Sequence, residues 1–173
     1  MRRLAVLGAL VLVVGCGGPD TAVPATAIAV VGDRAIPRAE FEAQMNQARR
    51  VFRAQGKPFP APGTPEYDRL KDTAVRLLVE RKQMSMAALR LGILPLVMNQ
   101  VEPELRRFKE TTLGGSEARY RERLRQTGMT DQDVRAAITD QLLASALKRA
   151  RALPLKKPLS VSYAKGFAPG DDG

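Results

Sequence analysis

The chain has 173 residues, with 28 lysines and arginines against 18 aspartates and glutamates, no histidine and one cysteine. This inventory removes Cys-His and Ser-His-Asp catalysis, the commonest zinc sites and any disulfide within one chain. The formal charge of +10 points to anionic surroundings or to a solvated helical surface.

Met1-Arg2-Arg3 precedes an uncharged apolar run from Leu4 to Val14, the cationic and hydrophobic regions of an export signal. Eleven apolar residues fall well short of the roughly 20 that a permanent membrane-crossing helix needs. The run ends in Val13-Val14-Gly15-Cys16, which looks like a lipobox, where bacterial prolipoproteins are lipidated on cysteine and cleaved just before it. The sequence thus predicts a signal peptide over residues 1–15 and a lipidated, flexible tether over 16–26, with Cys16 anchoring the chain to the outer face of a bacterial membrane. Removing Arg2 and Arg3 lowers the formal charge to +8. Nucleic acid is the usual partner of so basic a chain, but export takes it out of reach.

Residues 27–163 are enough for one domain. Ile28-Ala29-Val30-Val31, a Gly32-Asp33 turn and Ala35-Ile36 read as two short strands. Pro37 suits the first turn of a helix, and Phe41, Met45, Ala48 and Phe52 form its apolar face up to Gln55-Gly56. After a proline-rich loop, Thr64-Pro65 caps and opens the longest helix, with Leu70, Ala74, Leu77, Leu78, Met84, Ala88 and Leu91 in register and Gly92 closing it. A third helix is expected from about Asn99, carrying Val101, Leu105 and Phe108. Ser116 caps a fourth, with Tyr120 and Leu124 inward and Gly128 at its end. Thr130 and Asp133 have the form of a capping box opening a fifth, through Val134, Ile138, Leu142 and Leu147. Leu159 to Tyr163 alternates like a strand, and residues 164–173 read as a disordered tail. The fold expected is mainly α, about five helices with a small β element built from short strands near the two ends of the domain. Isolated strand pairs are marginal in water, so the terminal strands gain most by pairing with each other.

Glu102 with Glu104, and Asp131 with Asp133, sit at expected helix starts, where the dipole favours negative charge; a catalytic pair is the weaker reading. No phosphate loop, metal motif or cofactor motif is found, and no enzymatic activity is expected. Met45, Met84, Met86, Met98 and Met129 are more methionines than a small core needs, and methionine is adaptable enough to line an apolar groove.

The order of these signals carries a resemblance. The segment from Ile28 to Phe41 resembles the opening of SurA and PrsA type extracytoplasmic foldases. Leu77-Leu78-Val79-Glu80-Arg81 with Ala88 and Leu91-Gly92-Ile93 is similar to their long second helix, and Gly115 to Tyr120, Leu124, Gly128-Met129-Thr130 and Val134 follow their later helix-turn-helix. The likeness spans Ile28 to Leu147. Parvulin-type isomerase domains of that family characteristically contain histidines, so the resemblance implies the chaperone part alone, without prolyl isomerase activity. It implies ATP-independent binding of unfolded exported polypeptides in an apolar cradle, for which Met45, Phe52, Met86, Met98 and Phe108 are the candidate contacts. The alternative is a structural or accessory envelope lipoprotein with one dedicated protein partner.

Overall fold

A computed structural model of the chain describes residues 22–150 and 159–170. The order is β1 (Ala27–Val31), β2 (Arg34–Pro37), α1 (Arg38–Ala54), α2 (Pro65–Arg90), α3 (Leu94–Leu113), α4 (Glu117–Thr127), α5 (Asp131–Arg149) and β3 (Val161–Tyr163). The mainly α fold with a small terminal sheet is as the sequence predicts. Cys16, the signal segment and most of the tether lie outside the described residues.

The three strands form one antiparallel sheet in the order β2-β1-β3. β3 pairs with β1 in the register Ala29 to Tyr163, Val30 to Ser162 and Val31 to Val161, so the two ends of the domain do close on each other. All five residues of β1 are buried, which explains its unbroken apolar run: a central strand covered on both faces has no solvent side on which to place polar residues. Ile28, Ala29, Val31 and Ile36 join Phe41 and Met45 of α1 and Ala74, Val75, Leu78, Val79 and Met86 of α2 in the main core.

The helix ends follow local chemistry. The Thr64 hydroxyl accepts from the Tyr67 N–H at 3.3 Å ahead of Pro65, and the Ser116 hydroxyl accepts from the Arg119 N–H. Thr130 and Asp133 form the reciprocal capping box. Pro37 closes β2 with extended backbone and stands just before α1, rather than within its first turn.

α3 begins at Leu94, five residues earlier than Asn99. Pro95 lies in its first turn, where a missing N–H costs no hydrogen bond, and Pro103 is carried inside the helix. Two prolines in nine residues look like breakers, yet the first is in a tolerated position and α5 packs along α3, so tertiary contact outweighs the disfavoured interior proline.

The expected disordered tail is corrected over Ala164 to Gly170. Phe167 meets Phe41 edge to face at 5.2 Å, the Arg38 guanidinium lies 4.8 Å from the Phe167 ring centroid, and the Gly170 N–H donates to Asp72 at 3.0 Å. The Gly and Asp composition conceals a single aromatic side chain that reaches the core.

Candidate functional site

The last helix has clefts on two sides. Between α1, α2 and α5 runs an open groove of about 580 Å³. Leu78, Ala136 and Leu143 supply apolar lining, and Leu94 and Met98 line it from α3. Polar pairs bridge it: Arg81 Nε donates to Asp140 at 2.6 Å, Arg81 Nη1 to Gln44 at 3.2 Å and Arg50 Nη2 to Asp133 at 2.7 Å. Lys82 stands 3.8 Å from Glu40.

Between α3, α4 and α5 lies a second cleft of about 330 Å³, lined by Phe108, Leu124, Met129, Val134, Ala137 and Ile138 with Glu104, Arg123 and Gln141 as its polar members. The large apolar side chains here are only half-buried. They line space that the protein's own side chains leave unfilled, so added apolar atoms would gain contacts and remove surface from water.

Beside this cleft a polar chain joins the three helices. The buried Tyr120 hydroxyl donates to Asp131 at 2.8 Å, Arg135 pairs with both Asp131 and Glu102, and Lys109 bonds Glu117 at 2.8 Å while lying 4.1 Å from the Tyr120 ring centroid. Burial first, then the hydrogen bond to Asp131 and the charges of Asp131 and Glu117, push the Tyr120 hydroxyl well above the ordinary phenol range. Burial by itself would raise Asp133, but the Thr130 N–H and hydroxyl and the Arg50 guanidinium outweigh it and hold its carboxyl below the usual value. Glu102, Asp131 and Asp133 are therefore engaged in joining helices. Among the described residues no cluster of three or more metal-ligating side chains is found.

One glycine fixes how this unit meets the rest. Gly128 has φ +69°, and a Cβ placed on it would lie 2.4 Å from the Arg50 carbonyl oxygen. The turn between α4 and α5 thus rests directly on the backbone of α1, and Arg50 Nε donates to the Gly128 carbonyl at 3.3 Å.

The structure separates the five apolar candidates. Met45 and Met86 are buried in the main core, 3% and 9% exposed. Phe52 is half-buried and meets Phe59 edge to face at 5.5 Å, and Phe59 meets Tyr67 in turn, an aromatic ladder that holds the proline-rich loop. Met98 is 53% exposed and lines the groove, and Phe108 lines the second cleft. Sequence reasoning placed Leu124, Val134 and Ile138 inward and did not see that they border open space. The available signal was α5 itself, whose apolar positions fall into two registers: Val134 and Ile138 toward the second cleft, Ala136 and Leu143 toward the groove.

The arrangement is a five-helix domain with its ends tied in one small sheet and unfilled clefts on both sides of its last helix. A family model described as SurA-like N-terminal domain matches residues 2–148, and the chain belongs to that family. Membership suggests a chaperone-like role. No curated protein and no solved structure matches the chain.

Proposed function

We propose that this protein is a membrane-anchored extracytoplasmic holdase, which binds unfolded exported polypeptides without ATP through the clefts flanking α5. The observation that carries this reading is the half-buried apolar lining of the α3, α4 and α5 cleft, with Phe108, Met129 and Ile138 bordering space the fold leaves open. Phenylalanine supplies area, and methionine adapts its shape to different side chains. At roughly 25 cal/mol per Å² of apolar surface, before the cost of ordering the client, a cleft of this size gives weak and reversible binding. Such binding suits a protein that must release its clients.

The anchor is proposed from Val13-Val14-Gly15-Cys16 ahead of the domain. Thioether lipidation and cleavage before Cys16 would leave the domain on a tether of residues 16–26 at the outer face of the cell membrane, or at the outer membrane of a host that has one. Mass spectrometry of the N-terminal peptide tests this; an unmodified Cys16 contradicts it.

Holdase function is tested on a panel of unrelated unfolded proteins by light scattering. The wild type is expected to suppress aggregation of several of them, and Phe108→Ser with Ile138→Ser to lose most of that effect while keeping the helical circular dichroism spectrum. Protection of none of the panel contradicts the holdase reading and leaves the dedicated-partner alternative.

A further inference from the structure

We propose that the corner where α2 meets α3 is a lipid-contacting surface, which rests on anionic headgroups and places apolar side chains among them. The large hydrophobic side chains exposed among the described residues are Leu89, Leu91, Leu96 and Met98, from 50% to 65% exposed. All lie within ten positions around a sharp bend, since the axes of α2 and α3 turn through 117° at this corner. Met98 borders the groove, and Leu89, Leu91 and Leu96 line neither of the two clefts described above.

Charge identifies what covers them. From Arg81 to Val101 the chain holds three cations and no carboxylate. Arg81 and Lys82 are paired to Asp140 and Glu40, while Arg90 is exposed and makes no ion pair among the described residues. Lys148 and Arg149 are likewise exposed and without ion pairs there. They follow Leu147, which packs with Ala88 and Val97 in the core cluster directly beneath the corner. Exposed leucines with the unpaired Arg90 among them, and Lys148 and Arg149 next to the core cluster they cover, disfavour a second basic copy of this chain and suit an anionic bilayer, where apolar burial and headgroup attraction add.

The position suits an anchored domain, and for proximity alone the inference rests on the anchor proposed above. A Cβ on Gly32 would lie 3.4 Å from Met86 Cε, so β1 ends against the Met86 side chain, and Met86 precedes Leu89 by about one turn of α2. The strand starts roughly 15 Å further back at about 3.3 Å per residue, whereas the tether of residues 16–26 reaches at most roughly 40 Å. The corner is thus within reach of the surface that holds the lipid.

The chain has no tryptophan, so Leu96→Trp in the full chain provides a unique reporter. With vesicles containing phosphatidylglycerol, its emission is expected to shift to the blue and to be quenched by brominated acyl chains. Arg125→Trp on α4, beyond the far end of α3, is expected to stay unquenched. Vesicles of phosphatidylcholine alone should lose the quenching. Replacing Arg90, Lys148 and Arg149 with Gln should weaken docking about fivefold per cation, the worth of one near-surface cation at an anionic membrane.

An unshifted Leu96→Trp spectrum with protein bound to the vesicles overturns the proposal, and Leu89→Trp gives the same reading from the other helix. A blue shift without vesicles also overturns it: one that grows with protein concentration assigns the corner to a second copy, and one that appears on adding an unfolded protein assigns it to clients. The anchor is read separately from the mass of the N-terminal peptide, so an unmodified Cys16 together with a quenched reporter sinks the anchor and leaves the corner standing.

Discussion

Around the sheet, Ile28, Ala29, Val31, Ile36 and Val75 are almost wholly buried, and the second strand pairing closes the chain ends over them. Between α3, α4 and α5, by contrast, Phe108, Leu124, Met129, Val134 and Ile138 are half-buried around open space, and the ion pairs of Arg135 with Glu102 and of Lys109 with Glu117 join the helices that carry them. The first region follows the rules of a packed interior, where every methylene has neighbours. The second leaves apolar surface uncovered within one domain, and its helices are tied to one another by polar contacts beside the cleft. A scaffold can be stable and adaptable at once when these properties occupy different ends of it.

Removing the closure should erase the first region. Truncation after Pro158 deletes Leu159, Val161, Tyr163 and Phe167, all packed against the main core. At roughly 1–2 kcal/mol for each partly buried side chain, the loss is about 5 kcal/mol, comparable with the whole stability of a small domain. The truncated chain is expected to be largely unfolded by circular dichroism at 25 °C, and melting at the wild-type temperature would contradict the account.

The joint between the two regions comes next. Gly128→Ala places a Cβ against the Arg50 carbonyl and a side chain at φ +69°. The left-handed backbone costs about 1–2 kcal/mol and the overpacking about 1–3 kcal/mol more. Chemical denaturation should show a loss in that range, with the amides of α4 and α5 losing hydrogen-exchange protection before those of β1.

The smallest effect is electrostatic. The Asp133 carboxyl is held below its ordinary value in the folded chain, so its contribution to stability is present above about pH 4, the unfolded value, and lost as pH falls through the lower folded value. Tyr120 has the opposite sign: its raised value favours the neutral hydroxyl, a contribution present below about pH 10 and lost as pH rises further. Asp133→Asn should cost about 1 kcal/mol in denaturation at pH 7 and much less at pH 2. Equal losses at both pH values would show that the charge on Asp133 contributes nothing through Thr130 or Arg50.

The fold was legible because its signals are local. Thr64-Pro65, Ser116, Gly128 and the Thr130 to Asp133 box each specify a helix end within four residues, and β1 declares itself by an unbroken apolar run. The start of α3 was not, because Pro95 and Pro103 are accommodated by packing against α5 that no local window contains. The clefts were harder still. Met45 and Met86 have the same chemistry as Met98, and only the tertiary arrangement buries the first two and exposes the third. Ile138 and Leu147 likewise both read as core, and only the tertiary arrangement buries Leu147 and leaves Ile138 beside unfilled space.

Site-specific photocrosslinking to an unfolded client tests the division between scaffold and clefts most directly. A photoreactive side chain is placed at Ile138 or at Ala136, which line the two clefts, and in a third variant at Ala35, which is exposed on β2. Strong client adducts are expected from the two cleft positions and few from the sheet. Equal adducts from all three, or adducts from Ala35 alone, would contradict the account.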